Sequence, residues 1–124
     1  MKLISEMSVD DLKAWKPSKV DMETIREIAA KIAREFNPVR IILFGSYARG
    51  EADARSDIDL LVIMDSAEPP HLRALPIYRL LADYLLSVDV IVRTPEETTW
   101  YQDVPSSFIQ TILREGVTLH ERQE

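Results

Sequence analysis

Two apolar runs, residues 39–44 and 60–64, bracket a polar stretch carrying Gly45-Ser46, Gly50 and Ser56-Asp57-Ile58-Asp59. Runs of four to eight apolar residues bounded by turn signals suit buried strands. Side chains alternate along a strand, so Asp57 and Asp59 share a face where the second strand begins. Two carboxylates about 6.7 Å apart repel by roughly 2.5 kcal/mol at an effective dielectric near 20. A strand that only fills a core has no reason to carry that repulsion. A divalent cation between the two would reverse its sign. Hard cations such as Mg2+ take oxygen ligands, commonly one or two carboxylates plus substrate phosphates.

Gly45-Ser46 complements this pair. Glycine lets another group approach the backbone closely. A serine between a strand and a short helix presents its hydroxyl and free N–H groups to an anion. The competing reading is a tight turn followed by an aspartate cap. Gly-Ser or Asp-x-Asp alone is common, and the combination between two strands is what favours a site over a turn.

The rest of the chain bounds the possibilities. A length of 124 residues fits one domain, read as residues 19–124 with a peripheral segment at 1–18. Fifteen basic against 21 acidic residues give a net charge of −6, which disfavours direct nucleic-acid binding. No apolar run approaches the roughly 20 residues of a membrane span. The first residues lack a signal-peptide pattern, so a cytoplasmic location is expected. The absence of cysteine excludes disulfides and thiolate metal sites.

Periodicity predicts the surrounding elements. Ser8 caps a short helix to Trp15, ended by Lys16-Pro17, with Trp15 expected against the core. A longer helix is expected from Ser18, with Asp21 closing a capping box. Ile25, Ile28, Ala29, Ile32, Ala33 and Phe36 form its buried face, its charged residues lie in solvent, and Asn37-Pro38 ends it. Another helix is expected over residues 75–86, and a third strand over residues 87–92. Asp89 interrupts that strand's β-branched run, and charged residues are rarely buried unpaired. It either faces solvent, pairs with an arginine, or belongs to a site. Thr94-Pro95-Glu96-Glu97 starts a helix. A last helix ends at Gly116, and a final strand follows. His71, alone in a loop, is given no role. Arg114 and His120 have the spacing of the HEPN ribonuclease motif, but Gly116 and a β-like run lie between them, and that motif needs a helical bundle. The architecture expected is α/β: a small mixed sheet flanked by helices.

Gly45-Ser46-Tyr47-Ala48-Arg49-Gly50 and then Ser56-Asp57-Ile58-Asp59-Leu60 resemble the signature of the minimal nucleotidyltransferases, within the DNA polymerase beta-like superfamily. The resemblance extends over about residues 20–120 and implies that superfamily's fold. It implies that Asp57 and Asp59 hold two Mg2+ (or Mn2+) ions. Asp89 would be the third ligand and assist the attacking hydroxyl. Gly45 and Ser46 would hold the β- and γ-phosphates of ATP. Arg49 matches a motif position, either binding nucleotide or bracing the loop. Such proteins pair with HEPN-domain toxins as antitoxins. The implied activity is AMP transfer from ATP to a toxin hydroxyl, most simply a tyrosine, within a hetero-oligomer. Two alternatives stay open: a binding antitoxin acting by occlusion, and a stand-alone enzyme modifying a small hydroxyl compound.

Overall fold

A computed structural model describes residues 3–16 and 18–123. Four strands, β1 (Arg40–Phe44), β2 (Ile58–Ile63), β3 (Val88–Arg93) and β4 (Val117–Glu121), form one sheet in the order β3-β2-β1-β4. The β1–β2 and β1–β4 pairs are antiparallel, while β2 and β3 run parallel. A parallel pair needs a long crossover. Residues 64–87 supply it and include α4 (Leu75–Leu81).

The strand alternation sorts the core into two faces. Ile41, Leu43, Ile58, Leu60, Val62, Val90 and Val92 pack under α2 (Met22–Phe36) and α4. The expected face of α2 is the one buried, with Ile25 and Ile32 fully enclosed. Each such side chain contributes about 1.5–3 kcal/mol. On the opposite face Ile42, Leu61 and Ile63 meet Ile109 and Ile112 of α6 (Phe108–Glu115). Among the described residues the remaining α-helices are α1 (Val9–Ala14), α3 (Gly45–Arg49) and α5 (Pro95–Tyr101), with single 3-10 turns at Ile4–Glu6 and Pro70–Leu72. Among the described residues no helix is long and apolar enough to cross a membrane.

The caps explain most element ends. Ser8 and Asp11 form a reciprocal capping box at α1, as do Thr94 and Glu97 at α5. Asn37 adopts the left-handed conformation that closes α2, at φ 44°. The start of α2 differs from expectation. Asp21 is itself the cap, accepting from the Thr24 N–H at 2.8 Å, and Ser18 lies outside the helix. Only an acceptor at the first turn reaches those N–H groups. Lys31 also departs from the fully solvated reading, standing 5.1 Å from the Tyr84 ring centroid.

Helix α4 stops at Leu81, short of the expected 86. There the N-terminal segment docks on the chain. Ile4 N–H donates to the Asp83 carbonyl at 2.7 Å, and the Ser5 N–H and hydroxyl donate to the Asp83 carboxylate. These distant partners are satisfied by a turn at 82–84 rather than by further helix. Helix α1 buries none of its residues, and Trp15 is 43% exposed rather than packed in the core. The expected stop at Pro17 lies outside the described residues.

A half-buried ion pair ties the crossover to α5. Arg73, 9% exposed, donates to Glu97 Oε1 at 2.6 Å, and the same oxygen accepts the Thr94 N–H at 2.8 Å. The Thr94 backbone N–H, aided by Arg73, holds the Glu97 carboxyl below the usual carboxylate range. A depressed acid stabilises the fold above its unfolded pKa, and that stabilisation is lost as pH falls through the folded value. Glu97→Gln is therefore expected to lower stability at neutral pH by about 1–2 kcal/mol. The difference from wild type should shrink once wild-type Glu97 is protonated. Urea unfolding of both proteins across the acidic range checks this, and a pH-independent difference would contradict it.

Candidate active site

The β2–β3 register places Asp59 directly beside Asp89, and the β1–β2 register places Phe44 on the other side of Asp59. The three side chains form a row on the α6 face of the sheet. Asp57, two residues before Asp59 and just outside β2, extends the acidic end of that face. Helix α6 covers the middle of this face and leaves the acidic end open. Asp59 is half-buried, while Asp57 and Asp89 are exposed.

The electrostatics fit a cluster of like charges. Burial raises the Asp59 pKa above the ordinary carboxylate range, and the neighbouring Asp89 and Asp57 charges push it further. Arg49 opposes them weakly. Among the described residues no lysine or arginine forms a salt bridge with Asp89. That removes one alternative reading of this acid. The Ser87 hydroxyl donates to Asp57 Oδ1, turning that carboxylate toward the start of β3. In this arrangement no three acidic or histidine side chains among the described residues are grouped to hold a metal ion. Three carboxylates, two of them in register, are the kind of oxygen donors a hard cation takes, and among the described residues none of them forms a salt bridge.

The glycine loop meets this row directly. Gly45 has φ +74°, a left-handed conformation that disfavours side chains. A Cβ built there would overlap Asp59 Oδ2 and stand 3.1 Å from Asp59 Cγ. Only glycine lets the loop lie against the carboxylate. Ser46 follows at the start of α3. Tyr47 is buried on the other side of the short helix, where its hydroxyl accepts the Val20 N–H at 3.0 Å. Arg49 binds Glu51 at 3.0 Å on the surface, which braces the loop. The turn before Asp57 is organised by Asp53, which accepts the Arg55 N–H at 2.8 Å.

Residues 25–118 match the nucleotidyltransferase domain family. This chain belongs to that family. The nucleotidyltransferase domain spans all four strands up to Thr118 and every residue of the acidic row. Two proteins of Methanocaldococcus jannaschii, each named "putative protein adenylyltransferase", are similar to it. One is 34% identical over 79 residues, covering 63% of this chain and 75% of its own. The other is 36% identical over 81 residues, covering 65% and 77%. Among solved structures, a putative nucleotidyltransferase from Sulfolobus solfataricus superposes with a TM-score of 0.57 at 23% identity, over 81% of this chain and 79% of that one. A toxin–antitoxin structure with AMP-PNP gives a TM-score of 0.56 at 23% identity, over 79% and 74%. These two establish the likeness of fold. The protein is a nucleotidyltransferase, with the mixed sheet and flanking helices expected of one.

The structure brings Gly45, Asp59 and Asp89 together and sets Asp57 beside them. Arg49 pairs with Glu51 at the surface, and its charge still acts on Asp59. The sequence reading missed Ser87, whose contact with Asp57 spans 30 residues and leaves no local pattern. It also missed the aromatic wall where Phe108 meets Phe44 edge-on, with centroids 5.6 Å apart. The HEPN-like pair separates as expected, with Arg114 on α6 beside Glu115 and His120 on β4.

Proposed function

We propose that this nucleotidyltransferase transfers AMP from ATP to a tyrosine hydroxyl of a HEPN-domain toxin and thereby acts as its antitoxin. The observation that carries the reading is the Asp59–Asp89 register with Gly45 against Asp59. Asp57 and Asp59 would hold two Mg2+ ions and Asp89 one of them. Bound there, the ions would supply neutralising charge for the triphosphate and alignment of the attacking oxygen. The Ser87 hydroxyl engages only Oδ1 of Asp57 and leaves Oδ2 free to join them. Gly45 admits the β- and γ-phosphates close to the backbone, and Ser46 donates its hydroxyl to them. The acceptor oxygen forms a bond to the α-phosphorus as the bond to the β-phosphate oxygen breaks and pyrophosphate leaves. A phenol has a pKa near 10, so its proton must be drawn off at neutral pH. Asp89, at the exposed end of the row, receives it and passes it to water.

Intact-mass spectrometry of a HEPN partner incubated with this protein, ATP and Mg2+ tests the reading. The expected result is a mass gain of one adenylyl group, abolished by EDTA. An inhibited but unmodified partner would establish occlusion instead. Modification of a small hydroxyl compound with no change in the protein would establish the stand-alone enzyme. Calorimetry supplies a second check, since ATP affinity should fall when the divalent cation is chelated.

A further inference from the structure

Asp59 and Asp89 lie within strands and are aimed by their register, but Asp57 precedes β2 and is not. Asp57 and Ser87 are both exposed, so either side chain can turn unless a specific contact holds it. Ser87 makes two such contacts. Its hydroxyl donates to Asp57 Oδ1, and its carbonyl accepts the Ile58 N–H at 2.9 Å. Ile58 pairs with Val88, so Ser87 and Asp57 are the next pair outward. Ser87 thus holds both the backbone beside Asp57 and the Asp57 carboxylate itself. Among the described residues, no other side chain donates to any of the three carboxylates.

We propose that Ser87 is a positioning residue for cation binding, its hydroxyl fixing the Asp57 carboxylate so that Oδ2 faces the divalent cation. This rests on the metal reading above. A carboxylate on a turn swings about two bonds, and a ligand already held loses less freedom when the ion arrives. An ionised carboxylate has about four acceptor positions, so one hydroxyl leaves most of them open. The choice of a neutral donor matters. A lysine or arginine at this place would turn the carboxylate equally well but cancel the charge that attracts the cation. Serine orients without neutralising. The bond lies in water, which replaces it readily when it is lost, so its effect belongs to cation affinity rather than to folding.

Mn2+ alone is titrated into the full-length protein, and binding is read from the EPR signal of the free ion. Broadening of the Asp57, Asp59 and Asp89 amide signals in 15N-labelled protein locates the ion. Ser87→Ala is expected to raise the Mn2+ dissociation constant by about 10–100-fold. Ser87→Thr keeps the hydroxyl and suits a strand start, so it should restore most of that affinity. Ser5→Ala removes a similar exposed bond, to Asp83 Oδ2 at 2.6 Å, and should change nothing. The urea midpoint of Ser87→Ala should match wild type. In transfer assays Ser87→Ala should need more Mg2+ for its half-maximal rate and keep most of the rate at saturation. Unchanged Mn2+ affinity in Ser87→Ala overturns the proposal and leaves the metal reading in place. So does an equal loss in Ser87→Thr or in Ser5→Ala. A rate that saturating Mg2+ does not restore also overturns it, by making Ser87 a group that touches substrate. A wild-type protein that binds no Mn2+ at the row removes the metal reading and this proposal with it.

Discussion

Asp89→Asn is expected to abolish nucleotide transfer while leaving the fold intact. A lost ligand at a site of developing charge should lower the transfer rate by a factor on the order of 10²–10³ or more. Stability should move the other way or not at all. Asp89 is exposed and stands beside Asp59 in register, where its charge helps raise the Asp59 pKa. Removing one of two like charges relieves repulsion, discounted to about 0–1 kcal/mol because solvent screens the pair. The Asp59 carboxyl should accordingly titrate lower in the variant. A single-turnover assay, urea unfolding without metal and carbon-detected carboxyl titration read the three effects. Normal transfer by the variant would leave Asp89 as a solvent-facing strand residue and place the third ligand elsewhere.

Gly45→Ala is expected to cost both activity and stability, and Gly50→Ala to cost the backbone penalty alone with little loss of activity. Both glycines have left-handed φ, +74° and +72°. An alanine at either position meets the same backbone penalty of about 1–2 kcal/mol. Their surroundings differ. A Cβ at Gly50 meets nothing within 4 Å, whereas one at Gly45 overlaps the Asp59 carboxylate. In Gly45→Ala either the loop must lift or Asp59 must turn away, and both break the row. Transfer should therefore fall as far as in a ligand variant, with a stability loss of about 1–3 kcal/mol. Gly50→Ala should keep most of its activity. Equal activity of the two variants would show that the loop's contact with Asp59 is not needed for transfer.

Much of this was legible because the decisive residues are local. Asp57 and Asp59 are two apart, and strand alternation alone puts them on one face. Thr94 and Glu97 are three apart, and their capping box forms as the spacing requires. The readings that failed depended on partners far along the chain. Nothing around Leu81 shows that Ile4 and Ser5 will occupy Asp83, so the helix looked longer than it is. Likewise Ser87 gives no sign of its contact with Asp57. Trp15 looked like a core residue because it is large and apolar. The helix before it has no buried face, and the ring lies on the rim of a cavity instead. The position of Asp89 beside Asp59 was not legible in the sequence, because it comes from register and not from sequence distance.

That register separates the chain into stretches that can change length and stretches that cannot. The spacing of Asp59 and Asp89 depends on Ile58 pairing with Val88, and not on the number of residues between them. Insertions or deletions in the exposed turn at residues 65–69 should leave the acidic row undisturbed, since the cost of a longer connection grows slowly. A single residue added within β3 ahead of Asp89 would move its carboxylate about 3.3 Å along the strand and onto the α2 face. Related chains can thus diverge freely in their crossovers while the count of residues from the start of each strand to its carboxylate stays fixed.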